Sequence, residues 1–92
     1  MRINQYLKGS GKMQEYKFID PVSNQPVTVG NLCKRWRILN NYKISEVAET
    51  TGYSEFNIIK FEQGQNNNMM ILLWYIEHGF DISRYKKEGD TK

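Results

Sequence analysis

Helical periodicity begins near residue 29 and recurs in four segments of the chain. In the first three, apolar residues return every three or four positions, a spacing that predicts short amphipathic helices. In the first segment Leu32, Trp36 and Leu39 fall on one stripe, the predicted core side. The four predicted helices cover 29–39, 44–51, 55–62 and 69–78. The pattern therefore predicts a mainly α, compact domain of four to five short helices.

Capping and turn residues stand at the ends of these helices. Thr28, Ser54 and Asn68 precede the first, third and fourth helices, where a side-chain oxygen accepts a hydrogen bond from a free backbone N–H. Gly52 and Gly64 follow the second and third helices, where a positive φ ends a helix at low cost. These residues support the predicted helix boundaries.

The chain before residue 30 has a different pattern. In YKFIDPVSNQPVTVG, at 16–30, two β-prone stretches flank a segment of turn formers, and two prolines exclude a helix. We expect a small N-terminal β-hairpin or an extended arm. The predicted organisation is an arm and hairpin over 1–30, a helical domain over 31–83, and a charged tail over 84–92 that frays.

Composition limits the class of protein. Ninety-two residues provide one core, and 39% hydrophobic with 25% charged residues is the range of globular proteins. The longest apolar run, at 69–76, is far shorter than the ~20 residues that span a bilayer. No apolar secretory leader opens the chain, and Cys33 alone forms no intrachain disulfide. We expect a cytoplasmic protein without membrane contact.

The net charge of +3 is unevenly distributed. Residues 1–30 and 84–92 each hold four basic against two acidic side chains, whereas residues 31–83 hold five basic against six acidic ones. Because phosphate neutralisation provides most of the affinity in non-specific DNA binding, the helical segment alone is not expected to bind DNA strongly.

Three motifs over residues 31–83 resemble the Cro/C1-type (XRE-like) helix-turn-helix family of phage repressors. The motifs are Leu32-x3-Trp36-Arg37, V-A-E-x2-G-Y-S at 47–54 and I-x2-F-E-x-G at 58–64. The resemblance implies a small DNA-binding transcriptional regulator, of phage or mobile-element type, that binds double-stranded DNA as a homodimer. Helix 55–62 would then lie in the major groove.

The resemblance also pairs Arg37 with Glu62 as a structural ion pair. Helical geometry supports this pair, because Glu62 projects only about 40° from the core residue Ile58. A carboxylate that leans into the core needs a cation. We therefore predict an ion pair between Arg37 and Glu62 that supports the fold.

The expected DNA interface combines two sets of side chains. Glutamate accepts from cytosine, lysine donates to guanine, and phenylalanine contacts the thymine methyl group. The base-facing residues, from the family register and helical projection, are Glu55, Phe56, Ile59 and Lys60. The phosphate-facing residues are Lys34, Arg35, Lys43, Ser54 and Gln63.

Three apolar residues on this face favour a second interpretation. Phe56 and Ile59 on the third helix, and Ile44 where the family usually has a phosphate-binding Gln, are more typical of a protein contact. The alternative function is therefore a protein-interaction module, such as a phage-encoded inhibitor or antirepressor of a host protein. A third possibility is that the hairpin covers Phe56 or Ile59 as additional core.

The fourth helix is apolar on every side. We take Met69, Leu72, Leu73 and Ile76 as its core side. The remaining large residues then form a dimer or partner surface, or pack against the N-terminal segment. These residues are Met70, Ile71, Trp74 and Tyr75.

The sequence gives little support to an enzyme. The chain has one Cys and one His, Cys33 and His78, and no motif of a nucleophile, phosphate loop or metal protease. We expect no catalytic residues, no cofactor, no bound metal and no small-molecule substrate.

Overall fold

The computed structural model describes residues 17–88. Within them the chain forms strands β1 (Phe18–Ile19) and β2 (Pro26–Val27), helices α1 (Val29–Leu39), α2 (Ile44–Thr51), α3 (Glu55–Glu62) and α4 (Met69–Glu77), and a 3-10 turn (Ile82–Arg84). The predicted mainly helical fold with a small antiparallel hairpin is confirmed. The predicted N-terminal arm lies outside the described residues, as do positions 89–92 of the tail.

The predicted capping residues set the helix boundaries. The side-chain oxygens of Thr28, Ser54 and Asn68 each accept a hydrogen bond from the backbone N–H three residues later, at 3.1–3.2 Å. Gly52 ends α2 with a φ of 83°, and Gly64 follows α3 with a φ of 81°. Because Thr28 caps α1, that helix begins at Val29, slightly before the predicted domain boundary at 31.

The core side of helix α1 matches the predicted stripe at two of its three residues. Leu32 is buried and Trp36 is half-buried, but Leu39 is 74% exposed, so its predicted place in the core is wrong. Cys33 and Arg37 are buried instead. The helix is rotated because Arg37 must reach its carboxylate partner on α3, a requirement that an apolar stripe does not reveal.

Gly30 allows α1 to lie directly against α3. A Cβ atom at this position would lie 1.8 Å from the backbone carbonyl oxygen of Phe61. Only glycine permits this approach of the two backbones, and the contact fixes where α3 sits on α1.

Helix α4 also faces the core differently from the prediction. Ile71, Trp74 and Tyr75, predicted to lie outside, are buried. Met69, Leu73 and Ile76, predicted as core, are 67%, 43% and 39% exposed, while Leu72 is buried and Met70 exposed as predicted. The exposed apolar side of α4, here called the α4 stripe, consists of Met69, Met70, Leu73 and Ile76.

Polar tips account for this orientation of α4. Trp74 Nε1 donates to the Thr50 hydroxyl at 2.7 Å, and the Tyr75 hydroxyl donates to Glu62. Both groups would lose these partners on α2 and α3 if α4 turned to the predicted side. Tyrosine and tryptophan are buried where the tip finds a hydrogen bond, and here it does so on the core side.

The C-terminal segment pairs with the free edge of β1. Phe18 forms a bridge with Lys87, the Ile19 N–H donates to the Lys86 carbonyl at 2.8 Å, and the Glu88 N–H donates to the Lys17 carbonyl at 2.7 Å. The prediction that the charged tail frays is therefore wrong for 86–88. An unpaired strand edge presents free backbone N–H and C=O groups. These groups can pair with a neighbouring backbone segment whatever side chains that segment carries.

Candidate nucleic-acid interface

Helix α3, which follows α2 through the turn at Gly52, holds the four predicted base-facing residues. The predicted phosphate-facing residues lie on α1, directly before α2 and at the two ends of α3. The turn places the Ser54 cap at the start of α3. Ile58 and Phe61 of α3 point into the core, at 0% and 1% exposure. The opposite side of α3 is therefore the one that faces outward.

A buried ion pair ties α3 to α1. Arg37 Nε donates to Glu62 Oε2 at 2.7 Å, and its Nη2 donates to Glu62 Oε1 at 3.1 Å. The third guanidinium nitrogen donates to the Tyr42 carbonyl at 2.9 Å, and the Tyr75 hydroxyl also donates to Glu62. The structure thus contains the predicted pair, with additional partners that satisfy both charges.

The network around Glu62 shifts the titration of its neighbours. The hydrogen bonds from Arg37 to Glu62 raise the pKa of the guanidinium further. Burial raises the pKa of the Tyr75 hydroxyl, and its bond to Glu62 adds to the shift. Arg37 and Tyr75 therefore keep their protons across the ordinary pH range, and the network supports α3 rather than exchanging protons.

The outward side of α3 is exposed. Phe56 is 64% and Ile59 40% exposed, Glu55 is exposed, and Lys60 is half-buried. Within the described part of the chain, the hairpin does not bury Phe56 or Ile59. Glu55, Phe56 and Ile59 thus face outward as expected and Lys60 does so in part, while their assignment to DNA bases stays a prediction.

A chain of contacts crosses this outward side. Lys60 Nζ lies 5.1 Å from the centre of the Phe56 ring and donates to Gln65 Oε1 at 2.8 Å. Gln65 Nε2 in turn donates to Gln63 Oε1 at 3.1 Å. The side chains at the surface are therefore already connected to one another in the free protein.

Gln65 belongs to this surface, although the sequence did not single it out. The left-handed turn at Gly64 sends the chain back along the last turn of α3, where the Gln65 N–H donates to the Lys60 carbonyl at 2.9 Å. A glycine directly after a helix is the available signal for such a reversal, since the residue after it returns to the helix end.

The predicted phosphate-facing residues divide into two groups. Lys34, Lys43, Ser54 and Gln63 are exposed. Arg35 instead donates from both terminal nitrogens to the Asp20 carboxylate, at 2.9 Å each. Its hydrogen bond, with one from the Val22 N–H, holds the pKa of Asp20 well below its usual range. The assignment of Arg35 to phosphate is corrected, because its guanidinium ties the hairpin to α1.

A groove of about 410 Å³ lies between the hairpin, α1 and the start of α4. Its lining is mostly apolar, with two amides and one lysine, and contains no Asp, Glu, His or Cys. The side chains are those of Phe18, Val29, Phe61, Asn67, Asn68, Met69, Leu72, Ile82 and Lys87. The groove therefore offers no acid–base pair.

The two residues with the strongest potential for chemistry have packing roles. Burial, and then the charge of Glu62, raise the pKa of the Cys33 thiol. His78 Nδ1 lies 2.7 Å from the Trp74 carbonyl oxygen, which only accepts, so Nδ1 carries a proton. The His78 ring stacks on Trp74 with 3.9 Å between ring centres.

Comparison of the chain with protein-family models, with curated proteins and with solved structures finds no significant match. Across 17–88 the structure contains no helix long and apolar enough to span a bilayer. The same residues contain no group of three His, Cys, Asp or Glu side chains placed to hold a metal ion. An assignment of function therefore rests on the two sides of α3.

Proposed function

We propose that this chain is a small sequence-specific DNA-binding regulator of the helix-turn-helix type, which places α3 in the major groove. One observation carries the proposal. Helix α3 is anchored from its inner side by Phe61 and the Glu62 ion pair, while its outer side carries Phe56, Ile59 and Lys60 at the surface. The major groove is about 12 Å wide and admits a helix presented in this way.

The exposed basic residues supply the phosphate contacts in this proposal. Lys34 on α1 and Lys43 at the start of α2 are exposed, and the Ser54 and Gln63 side chains stand at the two ends of α3. Few cations take part, so we expect modest affinity with a shallow salt dependence. Sequence preference then depends on base contacts from α3.

The α4 stripe supports a dimer as the active form. Its four apolar side chains are exposed in the single chain. A second copy would cover these residues and present a second α3. The two recognition helices of such a dimer would bind half-sites about 34–36 Å apart on one face of the duplex. In this proposal the regulator acts in the cytoplasm, as one encoded by a phage or mobile element.

The experiment selects a preferred duplex from a random DNA library and follows binding by fluorescence anisotropy at two salt concentrations. Lys60→Ala is expected to weaken binding to the selected duplex at least about fivefold, since a good base contact contributes that much discrimination. Lys86→Ala, which removes the same charge from the segment beside β1, is the control and should change little. Absence of any salt-sensitive, sequence-selective binding would overturn the proposal.

The exposed apolar pair on α3 favours a second candidate, a protein-interaction module that inhibits a host protein. Phe56 is 64% and Ile59 40% exposed, and neighbouring large apolar side chains at the surface are typical of protein contacts. Under this candidate, Phe56→Ala abolishes capture of one defined partner in a cross-linking pull-down. Leu39→Ala removes an apolar side chain from α1 that is 74% exposed, and it should leave capture intact. Equal loss in both variants would reject the candidate.

A further inference from the structure

Lys60 is held in place before any partner binds. A free lysine loses about 2 kcal/mol of rotamer entropy when it is fixed. Here the Gln65 side chain accepts one of its hydrogen bonds, and the Phe56 ring lies beside the ammonium group. Gln65 is itself held by Gln63 and by its backbone bond to the Lys60 carbonyl. Part of the ordering cost of a contact from Lys60 is therefore met within the fold.

The remaining donors of Lys60 define what it binds. An ammonium group has three donors, and Gln65 uses one of them. The other two suit a pair of neighbouring acceptors. In the major groove guanine presents two acceptors, N7 and O6, whereas adenine presents one acceptor beside an amino donor that opposes the ammonium.

Phe56 adds a preference next to that guanine. Its ring lies against Lys60 and is 64% exposed. The apolar group on a base edge of the major groove is the 5-methyl of thymine, which phenylalanine contacts. Since the two side chains adjoin on one helix face, the bases they contact are neighbours in the duplex.

We infer that Gln65 is a positioning residue that aims Lys60 at a guanine, and that Phe56 contacts the methyl group of an adjacent thymine. This inference rests on the proposed DNA-binding function. It adds to that function a specificity determinant outside α3, and it places the guanine and the thymine next to each other in the duplex.

The test uses base analogues in the duplex selected by the wild-type protein. Replacing the guanine with 7-deazaguanine removes N7, and we expect at least about fivefold weaker binding. Replacing the thymine with deoxyuridine removes the methyl group and should weaken binding about threefold or more. In the Lys60→Met variant, 7-deazaguanine should no longer weaken binding, because its partner is absent. In the Phe56→Ala variant, deoxyuridine should likewise no longer weaken binding, as expected for coupled partners.

The role of Gln65 has its own measurement. Gln65→Ala removes no charge, so we expect the salt dependence to stay unchanged while the preference for guanine over adenine falls at least about threefold. Gln65→Asn, which keeps an amide, should retain part of the preference. Far-ultraviolet circular dichroism and the thermal midpoint confirm that each variant is folded.

Two kinds of failure are distinguishable. If no duplex is selected at all, the proposed DNA-binding function fails. If a duplex is selected but contains no guanine, or if Gln65→Ala keeps the full guanine preference, the inference is overturned while the DNA-binding function stands. The inference is also overturned if the analogue penalties persist in Lys60→Met and Phe56→Ala.

Discussion

The two sides of α3 carry the same residue types in opposite environments. Phe61 is 1% exposed and Phe56 64%, while Ile58 is 0% exposed and its neighbour Ile59 40%. Glutamates behave likewise at the two ends of the helix, since Glu62 is buried and Glu55 exposed. Each type of side chain thus has a counterpart on the same helix, and composition alone does not distinguish the buried side from the exposed side.

The two sides of α3 differ in whether their side chains already have all their interaction partners within the protein. Among the described residues every buried side-chain nitrogen and oxygen has a hydrogen-bond partner, those of the Glu62 network included. On the outer side, Lys60 and the Phe56 ring keep contact capacity for a ligand. Substitutions on the inner side should therefore change the stability of the protein, and those on the outer side its binding.

The largest expected effect comes from the backbone contact under α3. Gly30→Val places side-chain atoms against the Phe61 carbonyl, so we expect the free energy of unfolding to fall by more than about 4 kcal/mol. Gly52→Ala is the control, since its Cβ meets nothing within 4 Å and suffers only from the positive φ, about 1–2 kcal/mol. Urea denaturation measures both. Equal losses would show that the close approach of α1 and α3 does not matter.

Substitution of the two phenylalanines by alanine tests the two sides of α3 directly. Phe61→Ala should cost about 3–5 kcal/mol, because it leaves a cavity in the core. Phe56→Ala should cost about 0.5 kcal/mol or less, since it loses an exposed contact with Lys60. Both are measured by urea denaturation. A loss above about 2 kcal/mol in Phe56→Ala would mean that the outer side supports the fold.

The two glutamates of α3 test whether a buried and an exposed charge differ in their contribution to stability. Glu62→Gln leaves the buried Arg37 without a counter-charge, so we expect a loss of about 3–5 kcal/mol. Glu55→Gln on the exposed side should change stability by less than about 0.5 kcal/mol. Guanidinium midpoints are unsuitable because the salt screens charges, so urea is used. Similar losses in both variants would contradict a special role for the ion pair.

The cap of α3 supports both sides of the helix. Ser54→Ala removes the oxygen that accepts the Asn57 N–H, and we expect a loss of about 1 kcal/mol. Ser54→Asp retains an acceptor and should keep the thermal midpoint close to that of the wild-type protein. If the two variants unfold alike, the hydrogen bond at the cap contributes nothing.

The ion pair between Arg35 and Asp20 is less buried than the one between Arg37 and Glu62. Its carboxyl has a folded-state pKa below the ordinary value of about 3.9. The pair therefore adds stability above about pH 4 and loses it as pH falls toward the folded-state pKa. Asp20→Asn should weaken the fall in thermal midpoint between about pH 5 and pH 2. An unchanged pH profile would show that the pair adds no stability.

The orientation of α3 is predictable from sequence, whereas that of α4 is not. In α3, the motif I-x2-F-E-x-G at 58–64 assigns Ile58 to the inner side, and helical geometry then places Glu62 close to that side. In α4, the apolar run is unbroken, so its periodicity does not indicate which side of the helix faces the core. That orientation depends on where Trp74 and Tyr75 find hydrogen-bond partners. Those partners lie on α2 and α3, far away in sequence.

Two further features have no local signal. Pairing at 86–88 uses backbone groups, and the charged side chains there indicate only a solvated tail. The contact of Gln65 with Lys60 depends on the path of the backbone, since the Gly64 turn brings Gln65 back beside Lys60. Conversely, the caps at Thr28, Ser54 and Asn68 are predictable because their chemistry acts within three residues.

The sheet edge at β1 joins opposite ends of the described chain, and this has a consequence for the order of assembly. The loop between Phe18 and Lys87 contains all four helices, so the entropy cost of closing it is lowest once they have folded and shortened it. We expect this edge to close last and to open first on heating. A pair of fluorescent labels at Lys17 and Glu88 would then separate before the helical signal is lost. Joining those two positions covalently would convert a transiently open end into a permanent closure.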